Sequence, residues 1–443
     1  MSRIIPLSNL NNQKLDNITK DLVIKKESEN NYSYGEDKFI EVYDFDEKNL
    51  YVPFSYDNKI ERPLRDTFGS IETKFKASLY EEQKIVKKQA LQYMNETGSA
   101  LISCYPAFGK TCMAINIACS IKLKTLILVH RIVLINQWKK EIEKFCENVK
   151  VQILDSKSKI DQSADFYLIN AINVPKHNRS FYSKIGFLVV DEAHIIMAEK
   201  ISKCMSFIIP RYVLALSATP YRMDGFNNLL KLYFGENTIF RKLFREHNVY
   251  KINTEIKIEN KTNKLGKIDW NSVIESQSEN KYRNELIINL IKYFKERTFL
   301  VLCKRVEQAK YLVSRLIEEK EDVTNLIGKK QHFEVESRIL IGIGQKVGVG
   351  FDHPRLNSLI LASDIEGYFI QYLGRVFRRK DTIPMIFDVI DKHFVLNKHF
   401  KTRRDVYLEH GGKIFDFFEE FPDSDIFPDE NLKNKKITEN SEK

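Results

Sequence analysis

The sequence predicts an α/β protein of two tandem parallel-sheet lobes with a small N-terminal extension. Three observations lead there. From about residue 75, short and wholly apolar runs alternate with amphipathic helical stretches. A polar stretch near 240–280 interrupts that alternation once, after which it resumes. The 443 residues, 43% of them hydrophobic, supply material for more than one core.

Residues 1–70 read as the extension. Asn11, Asn12, Asn17 and the charged stretch from Lys25 to Asn31 form a polar lead-in, while Phe39 to Phe54 alternates apolar and polar residues and suggests a few strands. The first lobe is expected over 71–240. Ala100 to Ser103 is its first strand, followed by a loop and a helix from Thr111 to Ser120. Thr125 to Val129 leads into a helix from Leu134 to Phe145, and Phe166 to Ile169, Phe187 to Val190 and Tyr212 to Leu216 supply further strands. Strands that are apolar throughout and separated by helices indicate a parallel sheet covered on both faces.

Residues 241–280, with the run Glu259 to Lys264, read as a linker. The second lobe is expected over 281–410. It holds helices from Lys281 to Lys295, Val306 to Glu318 and Gly367 to Val376, and strands from Thr298 to Leu302, Arg338 to Ile343, Ser358 to Leu361 and Pro384 to Val389. Residues 411–443 turn acidic and then polar, and read as a frayed tail.

Lysine and arginine number 70 against 60 acidic residues, a net charge of +10. That favours a polyanionic partner, nucleic acid first, with a merely basic soluble protein as the other reading. None of the six cysteines forms a Cys-x-x-Cys pair, which argues against a disulfide framework or an iron–sulfur cluster and for a reducing compartment. His393 and His399, without a cysteine nearby, read as surface residues rather than ligands. No apolar run reaches the roughly 18–20 residues that cross a bilayer, so a soluble intracellular protein without a membrane partner is expected.

Two segments carry chemistry. The loop Cys104-Tyr105-Pro106-Ala107-Phe108-Gly109-Lys110-Thr111 joins a strand to a helix. Free backbone N–H groups at the helix start, the helix dipole and the Lys110 ammonium converge there on the β- and γ-phosphates of a nucleotide, and Thr111 offers a hydroxyl to Mg²⁺. Cys104 and Ala107 stand where glycine is usual, and alanine serves at 107 only with a negative φ. The strand from Phe187 to Val190 runs into Asp191-Glu192-Ala193-His194. Asp191 is suited to hold the metal, and Glu192 to orient and deprotonate an attacking water. A strand-terminal acidic turn is the plainer alternative.

With these residues in view, the chain resembles the superfamily 2 helicases of the DEAH-box kind. Asp191 to His194 spells that box, Ser217-Ala218-Thr219-Pro220 matches the third motif, and Gln371-Tyr372-Leu373-Gly374-Arg375-Val376-Phe377-Arg378 matches the sixth. Gln137-Trp138 is similar to the XPB-like branch, and the layout resembles the short helicases of large DNA viruses, the poxvirus transcript-release DNA helicase in particular. The resemblance spans about 75–380. It implies two RecA-like lobes, ATP and Mg²⁺ as cofactors, and hydrolysis coupled to movement on a nucleic-acid strand.

The resemblance also implies roles. Gln83 reads adenine, although the usual arginine before it is missing. Lys110, Asp191, Glu192, Gln371, Arg375 and Arg378 are catalytic, the two arginines as fingers from the second lobe. Gly350 and Asp352 belong to the fifth motif, with Gly344 where threonine is common. His194, Ser217 and Thr219 couple hydrolysis to motion. His130, Arg131, Asn170, Lys304 and Arg305 contact the strand backbone. Trp138 reads as a core anchor rather than a stacking platform. DNA is the favoured partner, with an RNA helicase as the alternative. A non-hydrolysing nucleic-acid-binding scaffold, motivated by Cys104 and Gly344, is the rival of another class. If the source is viral, a cytoplasmic viral factory or the virion is the expected location, and transcription or replication machinery the expected company.

Overall fold

The computed structural model describes residues 2–25, 39–105, 108–196, 203–217, 227–262, 266–328, 330, 332–347, 353–365, 369–379 and 381–427. The chain divides into two compact units, Met1–Arg241 and Lys242–Lys443. Among the described residues no helix is long and apolar enough to cross a membrane.

In the first unit, β1 (Ser2–Pro6), β2 (Asp44–Phe45) and β3 (Asn49–Pro53) form an antiparallel sheet in the order β1-β3-β2. Helix α1 (Asn12–Asp21) is capped by Asn11, whose side chain accepts from Lys14 N at 2.8 Å. This extension is part of the unit's core. Leu22, Ile40, Leu50, Val52 and Phe54 are buried in one cluster with Leu126, Leu188 and Val213 of the large sheet. Arg3 is only 2% exposed and donates to the carbonyls of Asp57 at 2.9 Å and Thr97 at 3.0 Å.

Helix α2 (Glu81–Thr97) ends at Gly98, whose φ of 92° lets its N–H close on Met94 O and turns the chain directly into β4 (Ser99–Cys104). Then follow α3 (Lys110–Ile121), β5 (Thr125–Val129), α4 (Ile132–Phe145), β6 (Val151–Leu154), β7 (Phe166–Asn170), β8 (Phe187–Asp191), α5 (Ala193–Ile196), β9 (Tyr212–Ser217) and β10 (Thr238–Arg241). The seven strands β4 to β10 form a parallel sheet in the order β6-β7-β5-β8-β9-β4-β10.

The second unit repeats the plan. Its elements are β11 (His247–Lys257), α6 (Trp270–Glu279), α7 (Lys281–Tyr293), β12 (Phe299–Cys303), α8 (Val306–Glu318), β13 (Val323–Leu326), β14 (Ile339–Ile343), β15 (Ser358–Leu361), α9 (Phe369–Val376), β16 (Met385–Lys392), α10 (Phe394–Glu409) and β17 (Gly412–Asp416). Seven parallel strands lie in the order β13-β14-β12-β15-β16-β11-β17.

Two boundaries differ from the sequence expectation. The stretch 241–280 is not a linker alone: β11 pairs with β16 on one side and β17 on the other, and α6 follows it. Lys251, Asn253 and Glu255 dilute the apolar pattern of β11, while Val249 and Ile252 are fully buried. Likewise 411–427 is no frayed tail. Gly412–Asp416 closes one edge of the sheet, and Phe417, Ile426 and Phe427 are buried in the second core. Residues 428–443 lie outside the described residues.

Candidate active site

In a parallel sheet all carboxyl ends face one edge, and residues following neighbouring strands gather there in strand order. Along the first sheet this line runs from Asn170 at the end of β7, through His130 and Arg131 after β5, Asp191 and Glu192 at β8, and Ser217 at β9, to the loop after β4. The register holds it together: Asn170 pairs with Val129, Val190 with Leu128, Asp191 with Leu216, and Ser217 with Ser103. The motifs, far apart in sequence, therefore share one ledge.

At the loop, Gly109 caps α3 with a φ of 86°, a left-handed conformation that a side chain disfavours. A Cβ there would lie 2.5 Å from Gln83 Nε2. Gln83, 5% exposed, accepts from Tyr80 N at 2.9 Å and donates to Phe108 O at 2.8 Å. It braces the loop from the start of α2. Lys110 Nζ donates to Cys104 O at 2.7 Å and Tyr105 O at 3.3 Å, so the ammonium lies over the loop carbonyls. Cys104 is buried at the end of β4, and burial pushes its thiol up to about 12, against a pull downward from Lys110. Thr111 is half-buried in the first turn of α3. Pro106 and Ala107 lie outside the described residues, and with them the expectation about φ at 107.

Asp191 Oδ1 accepts from Glu192 N at 3.1 Å, and Asp191 Oδ2 accepts from the Trp138 indole N–H at 2.8 Å. Burial and the neighbouring Glu192 charge push the Asp191 carboxyl up to about 6, outweighing Trp138 and Lys110, which favour the carboxylate. Both acids keep some exposed surface. Crowded carboxyls of this kind are relieved by a cation. Carboxylate and hydroxyl oxygens from Asp191 and Thr111 suit a hard divalent ion, and Lys110 at a helix start suits a phosphate. The residues present fit Mg²⁺ with a nucleotide.

Glu192 has a φ of 50°, left-handed backbone that costs a non-glycine residue about 1–3 kcal/mol and clusters at working sites. Its Oε2 lies 3.5 Å from His194 Nδ1, and His194 Nδ1 lies 2.9 Å from Ser217 Oγ. The buried imidazole thus links the acid after β8 to the hydroxyl ending β9. Thr219, in the same motif as Ser217, lies outside the described residues.

His130 is half-buried, and neither ring nitrogen has a hydrogen-bond partner among the described residues. Burial first, then the charges of Arg131 and His194, lower its pKa to about 4. The ring is neutral, so positive charge at this end of β5 comes from Arg131. Asn170 uses its side chain to accept from Ile172 N at 3.2 Å.

In the second unit, Lys304 follows β12 exposed, with Nζ 5.9 Å from the Trp270 ring centroid. Arg305 donates to Asn271 O at 3.3 Å. Gln371, Arg375 and Arg378 come together on and just after α9. Gln371 is buried, and its Oε1 accepts no hydrogen bond among the described residues. Burial lowers the Arg378 pKa. Gly344, where threonine is common, has a structural reason: a Cβ there would lie 2.9 Å from Tyr372 Oη. Gly350 and Asp352 lie outside the described residues.

Sequence reasoning missed two features. One is the Trp138–Asp191 hydrogen bond. The other is a buried ionic network beneath α9. Arg403 donates to Asp388 through two bonds of 2.8 Å and to Asp364 at 2.6 Å, Tyr407 Oη donates to Asp388 at 2.8 Å, and His399 Nδ1 lies 2.8 Å from Asp364. Two acids, Asp388 and Asp391, inside the otherwise apolar strand β16 were the available signal. His393 and His399 are correspondingly not surface residues: His393 is buried and His399 packs its ring 5.0 Å from that of Trp270.

The chain is similar to several known proteins. Residues 76–222 match the family described as type III restriction enzyme, res subunit. The chain is 41% identical over 395 residues to "Putative helicase 161L" of invertebrate iridescent virus 6, covering 83% of this chain and 89% of that protein. It is 32% identical over 374 residues to "Putative helicase 055L" of frog virus 3 (isolate Goorha), covering 82% and 85%. Among solved structures, S. cerevisiae Dbp5 bound to RNA and ADP BeF3 is similar in fold, with a TM-score of 0.55 at 13% identity over 79% of this chain and 93% of that one.

Proposed function

Given that this chain belongs to the superfamily 2 helicases, and so is an ATP-hydrolysing nucleic-acid helicase, we propose that it moves on DNA as an XPB-like motor of the DEAH-box kind, serving viral transcription or replication. The spelling of Asp191 to His194 and the Gln137-Trp138 pair support the finer assignment. The single observation that carries the mechanism is the shared ledge, where Lys110, Asp191, Glu192 and Ser217 follow neighbouring strands of one sheet.

Lys110 and the free N–H groups at the start of α3 bind the β- and γ-phosphates, with Gln83 holding the loop in shape and facing the base. Mg²⁺, held by Thr111 and Asp191, would neutralise charge developing on the transferred phosphoryl oxygens. Glu192 orients the attacking water and takes its proton. Arg375 and Arg378 act as arginine fingers beside Gln371, a contribution worth about 10³–10⁵ in rate in related phosphoryl transfers. His194 passes the state of Glu192 to Ser217 and so to the motif that includes Thr219, and the resemblance assigns Gly350 and Asp352 to nucleotide binding. Arg131 in the first unit and Lys304 and Arg305 in the second grip phosphates, with His130 and Asn170 beside Arg131 on the ledge of the first sheet. Binding is therefore sequence-independent and salt-sensitive.

The test is ATPase activity measured side by side with single-stranded DNA, duplex DNA and RNA. Several-fold stimulation by DNA is expected. Stronger stimulation by RNA would move the assignment to an RNA helicase, and no response to any polymer would favour a binding scaffold.

A further inference from the structure

One helix spans the distance between the candidate strand-binding surface and the metal carboxylate. α4 begins beside Arg131 at the end of β5, with Ile132 72% exposed in its first turn. Nearly two turns further along the helix, Trp138 is 2% exposed. Its indole N–H is a donor only, and it is spent on Asp191 Oδ2 at 2.8 Å. With Oδ1 accepting from Glu192 N, each oxygen of the carboxylate is oriented by a donor of the protein. Packing alone asks only for a large ring at 138. A ring that brings an N–H to this carboxylate does something more: it fixes where the remaining lone pairs point.

We propose that Trp138 is a positioning residue for hydrolysis, and that α4 carries the effect of strand binding at its first turn to Asp191 through the indole N–H. The inference rests on the reading of Asp191 as the Mg²⁺ carboxylate. Leu134, Ile135 and Ile142 bury the inner face of α4 against the sheet, so Arg131 and Trp138 lie at two points of one packed element.

The test uses the full chain. Trp138→Phe keeps a ring and removes the N–H. It is expected to raise the Mg²⁺ concentration for half-maximal ATPase by about 10-fold or more, and to lower the ratio of nucleic-acid-stimulated to basal rate. An independent arm needs no catalysis. The chain has two tryptophans, so Trp270→Phe leaves Trp138 as the sole indole emitter. Its emission is expected to change with Mg·ADP and not with ADP plus a chelator, and the change is expected to vanish when Asp191→Asn is added. A wild-type Mg²⁺ requirement in Trp138→Phe, or unchanged emission under conditions where calorimetry shows Mg·ADP bound, would overturn the proposal alone. A wild-type chain without ATPase activity would overturn the reading of the site and this inference with it. The emission arm decides the matter even if Trp138→Phe does not fold.

Discussion

Replacing Arg403 with methionine probes the buried network that supports α9. Arg403 is 5% exposed, and its two acidic partners are 0% and 1% exposed at the side chain. Removing the guanidinium leaves Asp388 with the Tyr407 hydroxyl and Asp364 with His399, two carboxyls facing the interior without their shared cation. Breaking a buried pair by deleting one partner costs about 3–5 kcal/mol. In a unit of this size that corresponds to a fall in melting temperature on the order of 6–20 °C. Arg403 also donates to Ile365 O at 3.4 Å, so the segment leading to α9 loses its anchor, and ATPase activity is expected to fall with stability.

The pH dependence of that loss has a definite sign. Burial alone would raise the Asp364 carboxyl, but hydrogen bonding from His399 and the Arg403 charge outweigh it and hold the pKa below the usual value. In wild type its contribution is therefore fully present above the unfolded pKa of about 3.9 and is lost as pH falls through the folded one. Without Arg403 the His399 hydrogen bond remains but the guanidinium charge is gone, so the folded pKa of Asp364 rises from its wild-type position. The variant's deficit against wild type therefore shrinks as pH falls into the carboxylate range, from about pH 7 to about pH 4. Thermal melts of both proteins at the two pH values check this. A variant within about 2 °C of wild type near neutrality, or a deficit that does not shrink on acidification, refutes the reasoning.

Three shorter predictions follow from the same geometry. Lys110→Ala removes two hydrogen bonds to loop carbonyls, worth about 1.5–3 kcal/mol each at most; turnover is expected to vanish in a phosphate-release assay while circular dichroism stays native. Arg378→Ala is expected to cut the hydrolysis rate far more than nucleotide affinity, as read by single-turnover kinetics alongside equilibrium binding. Gly344→Thr forces a Cβ to within 2.9 Å of Tyr372 Oη, and chemical denaturation should show a loss of about 1–3 kcal/mol.

The first lobe was legible because its central strands are almost wholly apolar: Leu126 to Val129 and Phe187 to Val190 carry no polar residue to confuse the period. Its site was legible because each motif follows such a strand. The second lobe hid more. Strand β11 alternates buried Val249 and Ile252 with Lys251 and Asn253, a pattern that polarity alone assigns to solvent. Asp364, Asp388 and Arg403 are charged yet buried, and their partners lie along the chain at separations that no local period reports. Trp138 marks the boundary. Its burial followed from ring size and helix position, but its hydrogen bond to a residue 53 positions away depended on the fold.

Strand β11 has one more consequence, for the order in which the molecule is made. It leaves the ribosome soon after the first sheet is complete, yet its two neighbours, β16 and β17, are encoded near the other end of the unit. Until they emerge, β11 has both rows of backbone donors and acceptors unsatisfied, the condition under which nascent strands pair with the wrong chain. Closing a sheet through such distant contacts is slow. Loss of residues beyond 410 would leave β11 as the edge strand, so the segment whose composition reads as a disposable tail satisfies one row of that strand's backbone donors and acceptors.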